Sequence, residues 1–165
     1  MNTPKIKIYV RDFGEMTAEL YPDKAPRTVE NFLSLIEVGF FSGTIFHRVI
    51  SGFMIQGGGY DESFGDKDAA PIKGEFKANG FMQNDLKHTR GVLSMARTSD
   101  PNSASSQFFI MHKDAPYLDA QYAGFGKVTE GLDVVDKIAA VKTGRMGWFD
   151  DVPKTPVVID KIEII

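Results

Sequence analysis

The chain has 165 residues, with 22 Asp and Glu against 19 Lys and Arg and a formal charge of −3 with its three histidines neutral. With 42% hydrophobic and 25% charged residues it is neither a disordered, a collagenous nor a coiled-coil chain, and its length suffices to bury about two thirds of the unfolded surface in one core. The absence of cysteine excludes disulfides, thiolate metal sites and thiol nucleophiles, and the scattered, slightly acidic charge offers no basic stripe for nucleic acid.

Residues 1–8 lack a charged start followed by an apolar stretch, and no apolar run reaches the roughly 18 residues of a membrane span. A cytoplasmic chain without a membrane partner is expected. Ile6, Ile8 and Val10 alternate with Lys5, Lys7 and Tyr9, the pattern of a half-buried strand. Asp12-Phe13-Gly14 reads as a turn, and Met16, Ala18 and Leu20 resume the alternation, which predicts a hairpin with one apolar face. The period then changes: Val29, Phe32, Leu33 and Ile36 recur at helical spacing, with Pro26 in the first turn and Gly39 at the end. Strand-like segments follow at 44–50 and 53–57, then a loop at 58–74, a strand at 92–96, a loop at 97–105, and strands at 107–111 and 125–128. Loops of that length in a compact fold commonly carry function. Leu132, Val135, Ile138 and Ala139 form a second helical face, with Gly144 as its predicted stop. A loop at 143–156 is predicted to pack Trp148, the only tryptophan, beneath it, and residues 157–165 close the chain as a strand. Many short strands, Gly-rich connections and two helices favour an antiparallel barrel or sandwich capped by helices over alternating βαβ units. With no repeat and no linker, residues 1–165 are expected to form a single domain.

Several chemistries fail on spacing. Gly57-Gly58-Gly59 has neither the dinucleotide-binding spacing nor a Gly-Lys-Ser ending. His47, His88 and His112 form no HExxH or i, i+4 pair, so no metal is expected, and no Gly-x-Ser-x-Gly elbow supplies a nucleophile.

What remains is one concentration of polar and apolar side chains. Phe46, Arg48 and Ile50 share a face by alternation, so an arginine occupies a position that calls for an apolar residue. Ser51-Gly52 is a tight link that can fold Met54 and Gln56 back beside Arg48. Gln107, Phe109 and Met111 likewise share a face, opposite Phe108 and Ile110. Carboxamides and a guanidinium beside Phe and Met suit a pocket that encloses an apolar ring while hydrogen-bonding a peptide. The alternative is an ordinary core holding two buried Gln, which leaves polar groups to satisfy.

Four motifs stand in order along the chain: the run from Phe46-His47-Arg48-Val49-Ile50 through Gly52-Phe53-Met54-Ile55-Gln56-Gly57-Gly58, then Gly91-Val92-Leu93-Ser94-Met95-Ala96, Ser106-Gln107-Phe108-Phe109-Ile110 and Phe125-Gly126-Lys127-Val128. Through them the chain resembles the cyclophilin family of peptidyl-prolyl cis-trans isomerases. The resemblance extends from Lys5 to the C-terminus and includes residues 25–32, and the short loops are similar to those of bacterial members. It implies a mainly β fold, a closed eight-stranded antiparallel β-barrel capped by two α-helices. It also implies rotation about X-Pro bonds in aid of protein folding, with no cofactor. Arg48, Gln56 and Phe109 are the implied catalytic residues. Phe53, Met54 and Leu118 line the implied proline pocket; Ala96, Arg97 and Gln107 border the groove for the residues before proline; His47, Tyr117 and Tyr122 complete the implied substrate site. The implied partners are proline-containing peptides and unfolded or folding proteins, and a monomer is expected. Many members carry Trp where Tyr117 stands, His where Tyr122 stands and Asn where Arg97 stands. From the Tyr117 and Tyr122 departures cyclosporin is expected to bind with reduced affinity, and the Arg97 departure bears on the residue preferred before proline. A proline-peptide binding module with little turnover is the competing reading.

Overall fold

The computed structural model describes residues 3–165. β1 (Lys5–Val10) and β2 (Gly14–Leu20) pair antiparallel with Ile6 opposite Ala18 and Ile8 opposite Met16, so all four side chains enter one face. α1 (Pro26–Glu37) begins at the proline, whose missing N–H costs nothing in a first turn, and buries Val29, Phe32 and Ile36. β3 (Arg48–Ile50), β4 (Met54–Gly57), β5 (Val92–Met95), β6 (Phe108–Met111) and β7 (Gly124–Glu130) are the short strands of the middle of the chain. α2 (Leu132–Ala139), a hairpin of β8 (Thr143–Met146) and β9 (Phe149–Pro153), and β10 (Ile159–Ile164) complete the fold.

Eight strands form one antiparallel curled sheet in the order β10-β1-β2-β7-β5-β6-β4-β3, and β8–β9 stands apart as a two-stranded ribbon. The sheet is a curled half-barrel, so the expectation of a closed barrel is overstated: among the described residues its edge strands β10 and β3 share no ladder and are approached only through a seam. At the seam Ile45 and Val158 form an isolated bridge, the N–H groups of Gly43 and Phe46 donate to the carbonyls of Ile159 and Val157, and the N–H of Ile159 donates to Thr44 O. The seam also shortens the strand predicted at 44–50. Thr44, Ile45 and Phe46 turn to serve the closure, only Arg48–Ile50 pairs with β4, and Phe46 enters the core while Arg48 is exposed. Phe46 and Arg48 therefore do not share a face.

Two other expectations need correction. α2 stops at Ala139, its last turn closed by the Ala140 N–H, and Gly144 lies inside β8. Residues 143–156 are mostly the β8–β9 hairpin, and Trp148 is 94% exposed at its tip.

The interior centres on Phe32, whose ring lies 4.9 Å from Phe41, 5.0 Å from Phe125 and 5.3 Å from Phe108. Each fully buried Phe contributes about 2–3 kcal/mol of apolar transfer. Alternation along β6 divides the molecule: Phe108 and Ile110 point into this core, while Phe109 and Met111 point outward into a second cluster with Met54, Val92, Ala115 and Leu118. The outward cluster is the floor of the site described next. Among the described residues no helix is long and apolar enough to cross a membrane.

Candidate active site

Arg48 and Gln56 are register partners on β3 and β4, joined by the turn at Gly52, whose φ of +80° is readily adopted only by glycine. Across this pairing Arg48 Nη1 donates to Gln56 Oε1 at 3.3 Å, and Gln56 Nε2 donates to Gln107 Oε1 at 3.0 Å. Gln56 is thereby held at both ends of its amide. Gln107 lies flat over Gly59, where a Cβ would fall 2.5 Å from the Gln107 Cγ, so only glycine leaves this amide its place.

Beside the polar row is a pocket of about 120 Å³ lined by Arg48, Phe53, Met54, Gln56, Ala96, Arg97, Phe109, Leu118 and Tyr122. Its floor is the outward cluster, and its rim carries two guanidiniums and an amide. Tyr122 meets Phe109 edge to face at 5.8 Å, and Tyr117 lies 6.0 Å from Phe53 at the exposed outer edge. A second hollow of about 140 Å³ adjoins the first, shares Gln56, Ala96 and Arg97 with it, and adds Thr98, Ser103, Ser105 and Gln107.

Of the residues singled out in the sequence, nine line the first pocket, Gln107 lines the second and Tyr117 stands at the edge. His47 is not brought to the groove. It follows Phe46 out of the seam and is buried between Tyr60, 4.7 Å away, and Phe149, 6.2 Å away. Burial and then the charge of Arg48 push its pKa down to about 4, so this imidazole is neutral at ordinary pH.

Sequence reasoning missed the support behind the floor. The His88 ring stacks on Phe109 at 6.1 Å and 21°, with its Nε2 2.8 Å from Ser94 Oγ and its Nδ1 3.2 Å from Asp119 Oδ1. Asp119, His88 and Ser94 have the makeup of a nucleophile triad. Ser94 is fully buried and His88 is 1% exposed, so no substrate reaches them and the chain serves to fix Phe109. Phe76 was also missed: with Tyr122 it sandwiches the Arg97 guanidinium, at 4.8 and 4.6 Å. No local pattern marks either residue, because each acts on a side chain distant in sequence.

An apolar pocket for one ring, edged by an arginine held by an amide, is the arrangement that the sequence resemblance implies. The family model for cyclophilin-type peptidyl-prolyl cis-trans isomerases matches residues 5–164. The chain belongs to the cyclophilin family. It is 50% identical over 159 residues to a peptidyl-prolyl cis-trans isomerase of Acinetobacter baylyi, covering 93% of this chain and 81% of that one. It is 47% identical over 160 residues to peptidyl-prolyl cis-trans isomerase B of Escherichia coli, covering 92% and 94%. Among solved structures, a cyclophilin-type isomerase of Cryptosporidium parvum superposes with a TM-score of 0.83 at 28% identity, over 99% of this chain and 98% of that one. The same parasite protein in the presence of the dipeptide Ala-Pro gives 0.81 at 29% identity, over 98% of each chain. The cyclophilin fold and the peptidyl-prolyl isomerase activity of the family are thus those of this chain.

Proposed function

We propose that the 120 Å³ pocket is where this chain isomerises X-Pro bonds, with the proline ring on the Phe53, Met54, Phe109 and Leu118 floor and Arg48 as the principal catalytic residue. The observation that carries this reading is the placement of Arg48, which lines a pocket floored by Phe53, Met54, Phe109 and Leu118 and whose side chain has one hydrogen bond among the described residues, to Gln56, leaving N–H donors for a substrate.

Rotation about an X-Pro bond meets a barrier of about 20 kcal/mol because it breaks amide resonance. As the bond twists, the proline nitrogen regains its lone pair and becomes a hydrogen-bond acceptor. A guanidinium already fixed beside it donates more strongly to this twisted form than to the planar one, which is the differential binding that catalysis requires. Gln56 holds Arg48 in position and is itself held by Gln107, so little reorganisation accompanies the step. The surrounding Phe, Met and Leu side chains exclude water and strengthen the interaction. Each tenfold of rate requires about 1.4 kcal/mol, so two or three charge-assisted hydrogen bonds supply a large acceleration. No bond is cleaved and no cofactor enters the step.

The substrates are proline-containing peptides and folding proteins, in keeping with the Ala-Pro dipeptide named for the Cryptosporidium relative. Tyr117 places a phenol at the exposed edge, which supports weaker cyclosporin binding, and the absence of cysteine supports a cytoplasmic location. The deciding experiment is cis-trans exchange of an Ala-Pro-Phe peptide by NMR. Arg48→Ala is expected to lower kcat/KM by about a hundredfold or more with the fold intact. Near-normal turnover by the variant overturns the role of Arg48. Binding shifts without exchange in the wild type favour the binding-module reading.

A further inference from the structure

The two hollows of the groove contain thirteen different lining residues, among which the only charges are Arg48 and Arg97. No carboxylate lines either hollow, although the chain as a whole carries −3. Among the described residues, neither guanidinium pairs with a carboxylate: Arg48 bonds the Gln56 amide, and Arg97 bonds only backbone carbonyls. Two unneutralised cations thus face one groove of an acidic protein.

Arg97 is the more rigid of the two. Its Nε and Nη2 donate to Gln121 O at 3.3 and 2.8 Å, its Nη1 donates to Thr98 O at 2.9 Å, and its two faces are covered by Phe76 and Tyr122. A guanidinium has five N–H groups, so two remain for a ligand. Several of the other polar groups of the second hollow are already engaged with one another. Thr98 Oγ1 donates to Ser103 Oγ, Ser103 Oγ donates to Asp100 O, and Gln107 Oε1 accepts from Gln56. What the hollow offers a substrate is therefore a fixed cation with spare donors, already stripped of part of its hydration and ordered at no cost to binding.

We propose that Arg97 makes this isomerase selective for prolines flanked by an acidic side chain, an Asp or Glu within two residues of the proline, whose carboxylate is held in the second hollow. This inference rests on the first hollow's being the proline site. A carboxylate there gains a charge-assisted hydrogen bond, an amide of the same shape gains a neutral one, and an ammonium group is repelled. Arg97 acts on substrate choice, and Arg48 acts on the reacting nitrogen.

The test is cis-trans exchange and peptide binding, both by NMR at low salt, with capped Ala-Pro-Phe peptides extended by Glu, Gln or Lys before or after the proline. The capping groups are acetyl and amide, so the test residue supplies the only variable charge. For the wild type we expect the Glu peptide to exceed its Gln twin in kcat/KM by about fivefold at one of the flanking positions, with Lys lowest. The Glu-to-Gln ratio should fall towards one in Arg97→Gln, survive in part in Arg97→Lys, and collapse in the wild type when salt is raised to about 0.5 M. The salt arm needs no variant, so it holds even if Arg97→Gln folds poorly. A ratio of one at every position in the wild type overturns the proposal, as does a ratio that persists in Arg97→Gln. Peptides that bind with the expected order yet do not exchange would overturn the isomerase reading of the site and leave the selectivity standing.

Discussion

His47 shows how a single buried side chain can set the pH response of this fold. Its imidazole lies against Tyr60 and Phe149, its Nδ1 has no hydrogen-bond partner among the described residues, and its pKa is pushed down to about 4, chiefly by burial and then by Arg48. In the unfolded chain the same group takes up a proton at about pH 6.5. Below that pH the unfolded state gains protons that the folded state refuses, so stability present above pH 6.5 is lost as the pH falls towards 4. The full loss is about 3 kcal/mol, of which about 2 kcal/mol falls between pH 7 and pH 5. His88 is shifted down as well, by burial against the opposing pull of Asp119, and adds to the loss in the same direction. His47→Phe, which suits an aromatic surrounding, is expected to flatten the pH dependence of the urea midpoint over this range by most of the His47 share. An unchanged slope would mean that His47 gains a proton or a partner in the folded state. The sequence made Arg48 and Gln56 legible because alternation and a tight link put them side by side. His47 was misleading because only the resemblance assigned it to the groove, and the turn of the chain at the seam buries it away from there.

The β3–β4 hairpin carries Arg48, Phe53, Met54 and Gln56, and its turn is tied down from outside. The Gly52 N–H donates to His112 Nδ1 at 2.8 Å, His112 Nε2 lies 3.1 Å from Asp136 Oδ1 on α2, and Arg90 grips the same carboxylate with two bonds of 2.7 and 3.0 Å. Because Nδ1 accepts, Nε2 must carry the proton and donate, so one tautomer links the catalytic turn to the helix. The His112 N–H adds a bond to Phe53 O at 2.9 Å. Removing the imidazole in His112→Ala is expected to speed hydrogen exchange at the Gly52 amide by about tenfold and to lower kcat/KM by a smaller factor. His112→Asn offers an acceptor near the Nδ1 position and should restore most of the Gly52 protection without the link to α2. If exchange at Gly52 is slow in both variants, the turn is held by its own geometry and the clamp is incidental. None of this was readable beforehand: residues 52, 112 and 136 meet only once the sheet has formed, and a histidine that joins a backbone N–H to a carboxylate has no spacing rule.

At the scale of the whole molecule, periodicity carried most of the barrel, because nearly every strand of the sheet has one face in a core and both helices have one apolar stripe. The same logic explains the ribbon that it missed. Residues 143–153 pair only with each other in a sheet, and their turn contains Gly147 at φ +58°, so the segment has little alternation to display. Within it Phe149, the first residue of β9, packs 5.3 Å from both Tyr60 and Phe64, while Trp148 precedes the strand in the turn beside Gly147. A turn residue of a ribbon that pairs in a sheet only with itself has no layer of its own loop to cover it, and the Trp148 indole stands 94% exposed. As the only tryptophan, it reports on this surface alone. Its emission in the folded protein should match that of solvated indole, be quenched by acrylamide nearly as readily as in the urea-unfolded chain, and stay unmoved when a proline peptide fills the groove. Trp148→Ala should change stability by less than about 0.5 kcal/mol, the usual range for an exposed side chain without partners. Protection from acrylamide that grows with protein concentration would instead show that a second copy covers the ribbon, and the expectation of a monomer would fall with it.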